Sequence, residues 1–217
     1  QWTISPDRTA YETERYDFFL MVEEGGRLRL DPYDDHIGMS TGNPNMTIGV
    51  GMNLHDSTVR AEVLRTFGMI HNNATLSQQG QAIENKYITQ ITNAINAMFS
   101  RAIPFAEAQR RVDAVMLDRA YNTNFSAADL QVLGNRRTTF SFDNENEIKI
   151  TFQRLMDTVY EPLADRFARN IPGGIPDSTE RIVLASLAYN SQVYPKGHPR
   201  QGIPRTLGSN LERAILN

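Results

Sequence analysis

The spacing of apolar residues predicts a helix near the start of the chain. Ser5-Pro6-Asp7 is typical of a helix start, because the Ser5 hydroxyl can cap free amides and proline fits the first helical position. Apolar side chains then recur at helical spacing as far as Val22, and Gly25-Gly26 is a stop signal. The pattern therefore predicts a first helix of about 20 residues.

A different pattern follows between residues 27 and 54. Apolar residues alternate with other residues, as they do in a half-buried strand, on either side of a segment rich in Gly, Asn, Asp and Pro. The two alternating runs are Leu28, Leu30 and Tyr33, and Met46, Ile48 and Val50. We expect this segment to form a small hairpin-like sheet.

Helical spacing returns after the sheet and continues through the rest of the chain. The predicted helices are one capped by Ser57, a long one over residues 76–100, one opened by Pro104, a short one capped by Ser126, and three over 147–168, 178–190 and 206–216. The string Ala-Tyr-Asn ends two of them, at 120–122 and 188–190, which predicts similar packing at both places. The fold class expected is α+β, mainly α, in a single domain over residues 1–217.

The composition of the chain argues against several classes of function. The chain has 217 residues and no cysteine, which excludes disulfides, thiol nucleophiles and cysteine metal ligands. Its net charge of −3 argues against a nucleic-acid partner held by the overall field. The longest apolar run is far short of the roughly 20 residues that a membrane-spanning helix needs. The scattered histidines lack the spacing of zinc ligands, and no Gly-x-Ser-x-Gly sequence supports serine hydrolysis.

Charge is distributed unevenly along the chain. Residues 1–35 hold four basic and nine acidic side chains (−5), whereas residues 191–217 hold four basic and one acidic (+3). The chain begins with Gln1 and lacks a signal-peptide pattern, so we expect a piece processed or cut from a larger protein.

The acidic N-terminal segment, residues 1–35, contains the candidate catalytic residues. Glu23 and Glu24 fall in the last turn of the predicted helix, where the helix dipole disfavours negative charge and would raise a carboxyl pKa toward that of a general acid. A solvated helix end is the alternative. Asp31, Asp34 and Asp35 follow in a turn, and they lack the ligand spacing of a calcium loop.

These pieces together resemble the catalytic lobe of the phage lysozyme family, the muramidases of T-even and lambdoid endolysins. The matching residues are Glu24-Gly25, Leu28, Leu30, Pro32-Tyr33-Asp34-Asp35, Gly42 and Thr47-Ile48-Gly49-Val50-Gly51. The resemblance implies a lysozyme-like fold with a small lobe over about 1–75, a linker helix over about 76–100, a helical lobe over about 101–217 and a groove between the lobes.

The resemblance also implies roles for individual residues. Glu24 would be the general acid, while Asp35 and Thr47 would hold the attacking water, with no metal or cofactor. Two carboxyls roughly 6.5–9.5 Å apart would leave room for that water and predict inversion at the anomeric carbon. Thr41 rivals Thr47 as the hydroxyl. The side chains expected to line the sugar site are Tyr33, Asn43, Asn45, Tyr189 and Asn190, of which Tyr189 could equally be a core aromatic.

The chain departs from the family pattern in three places. The interval from Asp35 to Thr47 is longer than usual, which predicts an enlarged loop over 36–45. Met52 stands where the family has a histidine, which removes an ion-pair partner. The sequence pI of about 5.8 is acidic, and the basic segment from Lys196 to Arg213 could supply attraction to an anionic wall.

The function implied by the resemblance is hydrolysis of the β-1,4 bond between N-acetylmuramic acid and N-acetylglucosamine in bacterial peptidoglycan. Two alternatives stay open: a lytic transglycosylase using Glu24 alone, and a non-catalytic wall-binding module. The parent could be an endolysin, a virion-associated lysozyme or a secreted antibacterial toxin, with an immunity protein or a delivery protein as a further partner. We expect the protein to act on the bacterial wall, in the periplasm of a host or target cell.

Overall fold

The computed structural model describes residues 2–23, 26, 28–35, 44–71, 76–167, 171 and 173–189. It is mainly helical with a small antiparallel sheet of three strands, so the predicted α+β, mainly α class is confirmed. Contacts group the chain into two compact units, Gln1–Arg27 with Phe152–Asn217, and Leu28–Thr151. The long helix predicted as a linker lies inside the second unit, and the predicted lobe boundaries stay a prediction.

The first unit begins with helix α1 (Arg8–Phe18), which continues into a π-helical turn (Phe19–Glu23). Asp7 caps α1 by accepting a 2.9 Å hydrogen bond from the Ala10 amide, so the predicted Ser5 cap is wrong. The Ser5 hydroxyl donates to Glu14 at 2.6 Å instead.

The C-terminal helices of the described chain include a second π-helical turn. Helix α6 (Glu145–Leu155) passes through this turn (Met156–Tyr160) into α7 (Glu161–Phe167), where the sequence predicts one continuous helix. Helix α8 (Thr179–Tyr189) follows, and its bounds agree with the predicted helix over 178–190.

A network of charged side chains holds α1 against α7 within the first unit. Arg15 is completely buried, and its Nη1 bonds Asp157 at 3.0 Å and also contacts the Glu161 carboxylate. Arg8 reaches Asp157 at 2.7 Å. Burial would raise the pKa of Glu161, but Arg15 and Arg8 outweigh it and hold this pKa below the ordinary value.

The second unit contains the sheet. Strands β1 (Arg29–Asp34), β2 (Met46–Gly49) and β3 (Met52–Asn53) pair antiparallel in that order, which confirms the predicted hairpin. Every residue of β2, the central strand, is buried.

Among its described residues, the second unit also contains four whole helices and the first part of α6, as far as Thr151. The four are α2 (Ser57–Thr66), α3 (Gln78–Phe99), α4 (Phe105–Tyr121) and α5 (Ala127–Leu133). The predicted Ser126 cap of α5 is confirmed, and Asp129 completes a capping box with it. The predicted Ser57 cap of α2 is wrong by one residue, because the Asp56 carboxylate accepts from the Thr58 and Val59 amides.

A buried ion pair joins α3 to α4. Arg119 donates through Nε to both carboxylate oxygens of Glu84, at 2.9 and 3.0 Å, and through Nη2 to the Gly68 carbonyl at 2.6 Å. Burial raises the pKa of Glu84, and the charge of Arg119 opposes that rise. The predicted helix over 206–216 and the basic segment from Lys196 to Arg213 lie outside the described residues.

Candidate functional site

The β1–β2 hairpin brings four of the predicted site residues together. Tyr33 lies directly opposite Thr47 in the strand register, and the Asp35 amide donates to the Asn45 carbonyl at 3.1 Å. Because side chains alternate along paired strands and directly opposed residues share a face, Tyr33, Asp35, Asn45 and Thr47 all belong to one face of the hairpin.

A bulge in β1 sets this register. Three residues of β1 lie between the Arg29–Gly49 and Tyr33–Thr47 pairs, whereas β2 has only Ile48 between them. Pro32 lies within this bulged stretch of β1. Proline has no backbone N–H to donate, and a bulge is one of the places in a sheet where it is tolerated. Bulges of this kind change the direction of a strand's side chains, so this one determines which residues share the Thr47 face.

Two buried oxygen atoms on this face lack a hydrogen-bond partner among the described residues. The Thr47 side chain is fully buried, and its Oγ1 is unpartnered. Asn45 is 6% exposed, and its Oδ1 is unpartnered as well. More than nine in ten buried polar groups have a partner in folded proteins. The two oxygens are therefore suited to a bound water or to polar groups of a ligand.

The other two residues of this face are more accessible. Asp35 is exposed at the end of β1, where its carboxylate can meet a ligand. Tyr33 is half-buried, and the Arg29 guanidinium lies over its ring at 5.0 Å from the centroid. Arg29 thus takes up one side of the ring.

Tyr189 packs in an aromatic cluster of the first unit. Its ring centroid lies 5.1 Å from that of Phe19 and 5.0 Å from that of Tyr160, both in edge-on geometry, and Phe152 is close by. This environment is that of the core aromatic that the sequence left open as an alternative. Its role as a sugar-lining residue stays a prediction.

Three further site residues, Glu24, Asn43 and Asn190, lie outside the described residues, as does the rival hydroxyl Thr41. Met52, which stands where the resemblance would place a histidine, is fully buried and packs at Gly49. An apolar side chain thus fills the position where the family pattern has a charged partner.

The structure also contains polar features that sequence spacing did not indicate. An open groove of about 570 Å³ between α3 and α4 is lined by Gln90, Asn93, Ala94, Ala97, Arg110, Arg111, Ala114, Val115 and Asp118. Glu107 bonds both of its arginines, and those hydrogen bonds lower the Glu107 pKa to about 2. The groove was not found from sequence, because it depends on how two helices separated by a turn meet.

Within the described parts of the chain, no helix is long and apolar enough to cross a membrane, and no group of three or more His, Cys, Asp or Glu side chains could hold a metal ion. No family model, curated protein or solved structure matches this chain. The resemblance to phage lysozymes therefore stays a prediction from sequence, most specific over residues 24–51.

Proposed function

We propose that this protein is a peptidoglycan hydrolase, a muramidase that cleaves the β-1,4 bond between N-acetylmuramic acid and N-acetylglucosamine. The observation that carries the proposal is the shared face of the hairpin, where the buried Thr47 hydroxyl has no partner among the described residues and the exposed Asp35 carboxylate belongs to the same face. A site that activates water needs a base to accept the proton of the water, and a hydroxyl without another partner can help to orient that water.

The proposed reaction uses two carboxyl groups and one water. Glu24 donates its proton to the glycosidic oxygen as the bond from that oxygen to the anomeric carbon breaks. Water attacks the anomeric carbon and gives one proton to the Asp35 carboxylate, while the Thr47 hydroxyl orients the water. One water is consumed, and the two products carry a new reducing end and a new hydroxyl.

The Thr47 oxygen, which has no hydrogen-bond partner among the described residues, favours hydrolysis over transglycosylation. A lytic transglycosylase closes an anhydro ring with the sugar's own hydroxyl and has no need to hold a water. A buried hydroxyl without a partner is costly, by about 1–3 kcal/mol, unless it serves a ligand. The hydrolytic reaction supplies that ligand, whereas the transglycosylase reaction leaves the cost unexplained.

The test is digestion of purified peptidoglycan with mass spectrometry of the released fragments. We expect reducing ends from the unaltered protein and at least about a hundredfold less product from Glu24→Gln and from Asp35→Asn. Neighbouring carboxylates serve as matched controls: Glu23→Gln and Asp34→Asn, of which Asp34 pairs with Met46 and so belongs to the opposite face of the hairpin.

Each other result has a defined meaning. Undiminished activity of Glu24→Gln would refute the assignment of the acid. Anhydro ends would indicate the transglycosylase, and tight peptidoglycan binding without any product would indicate the non-catalytic module.

A further inference from the structure

The Asn45 side chain is buried near Thr47, and no described residue donates a hydrogen bond to its oxygen. Its backbone is held, since its carbonyl accepts from the Asp35 amide at 3.1 Å, while its side-chain Oδ1 has no partner in that part of the chain. Burying an amide oxygen without a partner costs about 1–3 kcal/mol. If Asn45 had only a packing role, replacing its amide with an apolar group would stabilise the protein.

The position of Asn45 relates it to the water rather than to the sugar. Asn45 directly precedes β2 and continues its pairing with the chain after β1, through the hydrogen bond from the Asp35 amide. With extended backbone, its α-carbon lies about 6.7 Å from that of Thr47 and the two side chains belong to the same face. Both oxygens are buried, whereas a residue that grips a polymer needs to reach solvent.

We propose that Asn45 is a positioning residue that holds the attacking water together with Thr47. This inference rests on the proposed muramidase function. A water molecule has two hydrogens and two lone pairs. Asp35 accepts one hydrogen, Asn45 Oδ1 accepts the other, and the Thr47 hydroxyl donates to one lone pair. The remaining lone pair is then free to attack the anomeric carbon.

The test compares Asn45→Ala with Asn53→Ala. Asn53 is a matched control because it lies in β3 opposite Thr47, yet its Oδ1 already accepts from the His55 amide at 2.8 Å. For Asn45→Ala we expect kcat on peptidoglycan to fall about tenfold, as for one lost hydrogen bond to the reacting water, with KM unchanged. For Asn53→Ala we expect kcat to stay within about twofold of the unaltered protein.

A second readout separates positioning from a structural role. In water–methanol mixtures, loss of the water's fixed orientation lets methanol compete, so Asn45→Ala should at least double the ratio of methyl glycoside to reducing-end product. A general loss of structure would lower both products equally. Asn45→Asp, which keeps an acceptor oxygen at the same position, should restore most of the kcat that Asn45→Ala loses.

A crystal structure of the unaltered protein gives a readout independent of turnover: a water within hydrogen-bond distance of both Asn45 Oδ1 and Thr47 Oγ1. If the unaltered protein releases no reducing ends, the proposed function fails and this inference falls with it. If it does release them, but Asn45→Ala keeps the kcat and product ratio of the unaltered protein, only the inference is overturned.

Discussion

Gly80 of α3 lies directly against the Asp129 carboxylate of α5. A methyl group at Gly80 would meet the Asp129 Cγ at 2.7 Å, closer than van der Waals contact allows. The carboxylate cannot move aside, because it accepts hydrogen bonds from the Ser77 amide and hydroxyl and from the Ser126 hydroxyl, at 2.6–2.7 Å. Asp129 thereby completes the capping box of α5 and binds Ser77, the N-cap residue of α3, at the same time.

Gly80→Ala should therefore destabilise the protein, by about 1–3 kcal/mol in urea unfolding, as expected for overpacking against a fixed group. Helix propensity alone predicts the opposite sign, since alanine is favoured over glycine by about 1 kcal/mol inside a helix. Gln79→Ala, at an exposed neighbouring position of α3, is the control and should change the free energy of unfolding by less than about 0.5 kcal/mol. A stabilised Gly80→Ala variant would show that α3 and α5 are not in contact here.

The hydrogen bonds that Asp129 accepts also predict that the stability of the protein falls at acid pH. Hydrogen bonds from Ser126 and Ser77 lower the pKa of Asp129 from 3.8 to about 2, so the folded state favours the ionised form. Its stabilising contribution is complete above about pH 4 and is lost as the pH falls through about 2. Asp129→Asn should lower the melting temperature by several degrees at pH 7, and the difference from the unaltered protein should shrink between pH 4 and pH 2. A difference that is independent of pH would contradict the assignment.

Thr47→Val should separate stability from activity. Valine keeps the branched shape and removes a buried hydroxyl that has no partner in the described chain, so the free energy of unfolding should rise by about 1 kcal/mol. Peptidoglycan turnover should fall at least about tenfold. Thr151→Val is the control, because the buried Thr151 hydroxyl donates to the Glu147 carbonyl at 2.8 Å and its loss should destabilise the protein. A Thr47→Val variant that is less stable and fully active would refute both expectations.

Tyr189→Ala tests whether this ring belongs to the core. Because the ring packs edge-on against Phe19 and Tyr160, its removal should lower the free energy of unfolding by about 2–4 kcal/mol. Tyr121→Ala is the natural control, since Tyr121 occupies the same Ala-Tyr-Asn string but is 71% exposed. A raised KM with unchanged stability would instead support the sugar-lining role of Tyr189.

The elements of this fold could be predicted from sequence because local patterns determine them. Apolar spacing located α3 and α5 within a few residues, and the alternation around Tyr33 and Met46 located the hairpin. The caps of α1 and α2 were wrong because several polar residues stand near each helix start, and only backbone geometry decides which of them reaches the free amides.

The relations between elements could not be predicted in the same way. Nothing in the spacing of Glu84 and Arg119 indicates that they form a buried pair, since helix packing brings together residues far apart in sequence. The two Ala-Tyr-Asn strings were expected to pack alike, and this was wrong: Tyr121 faces solvent, whereas Tyr189 joins an aromatic cluster. The motif predicted Tyr33, Asp35, Asn45 and Thr47 as site residues without indicating that they share a face, because that depends on the register set by the β1 bulge.

The π-helical turn Phe19–Glu23 has a consequence for how this chain is compared with others. A π turn is what a one-residue insertion produces when an α-helix absorbs it without ending, and each added residue rotates the following segment by about 100°. Aligning this chain with a sequence that lacks the insertion would require a gap just before the Glu-Gly pair, where a motif search needs an unbroken match. Relatives should therefore be sought with patterns that allow one extra residue between Tyr16 and Glu24.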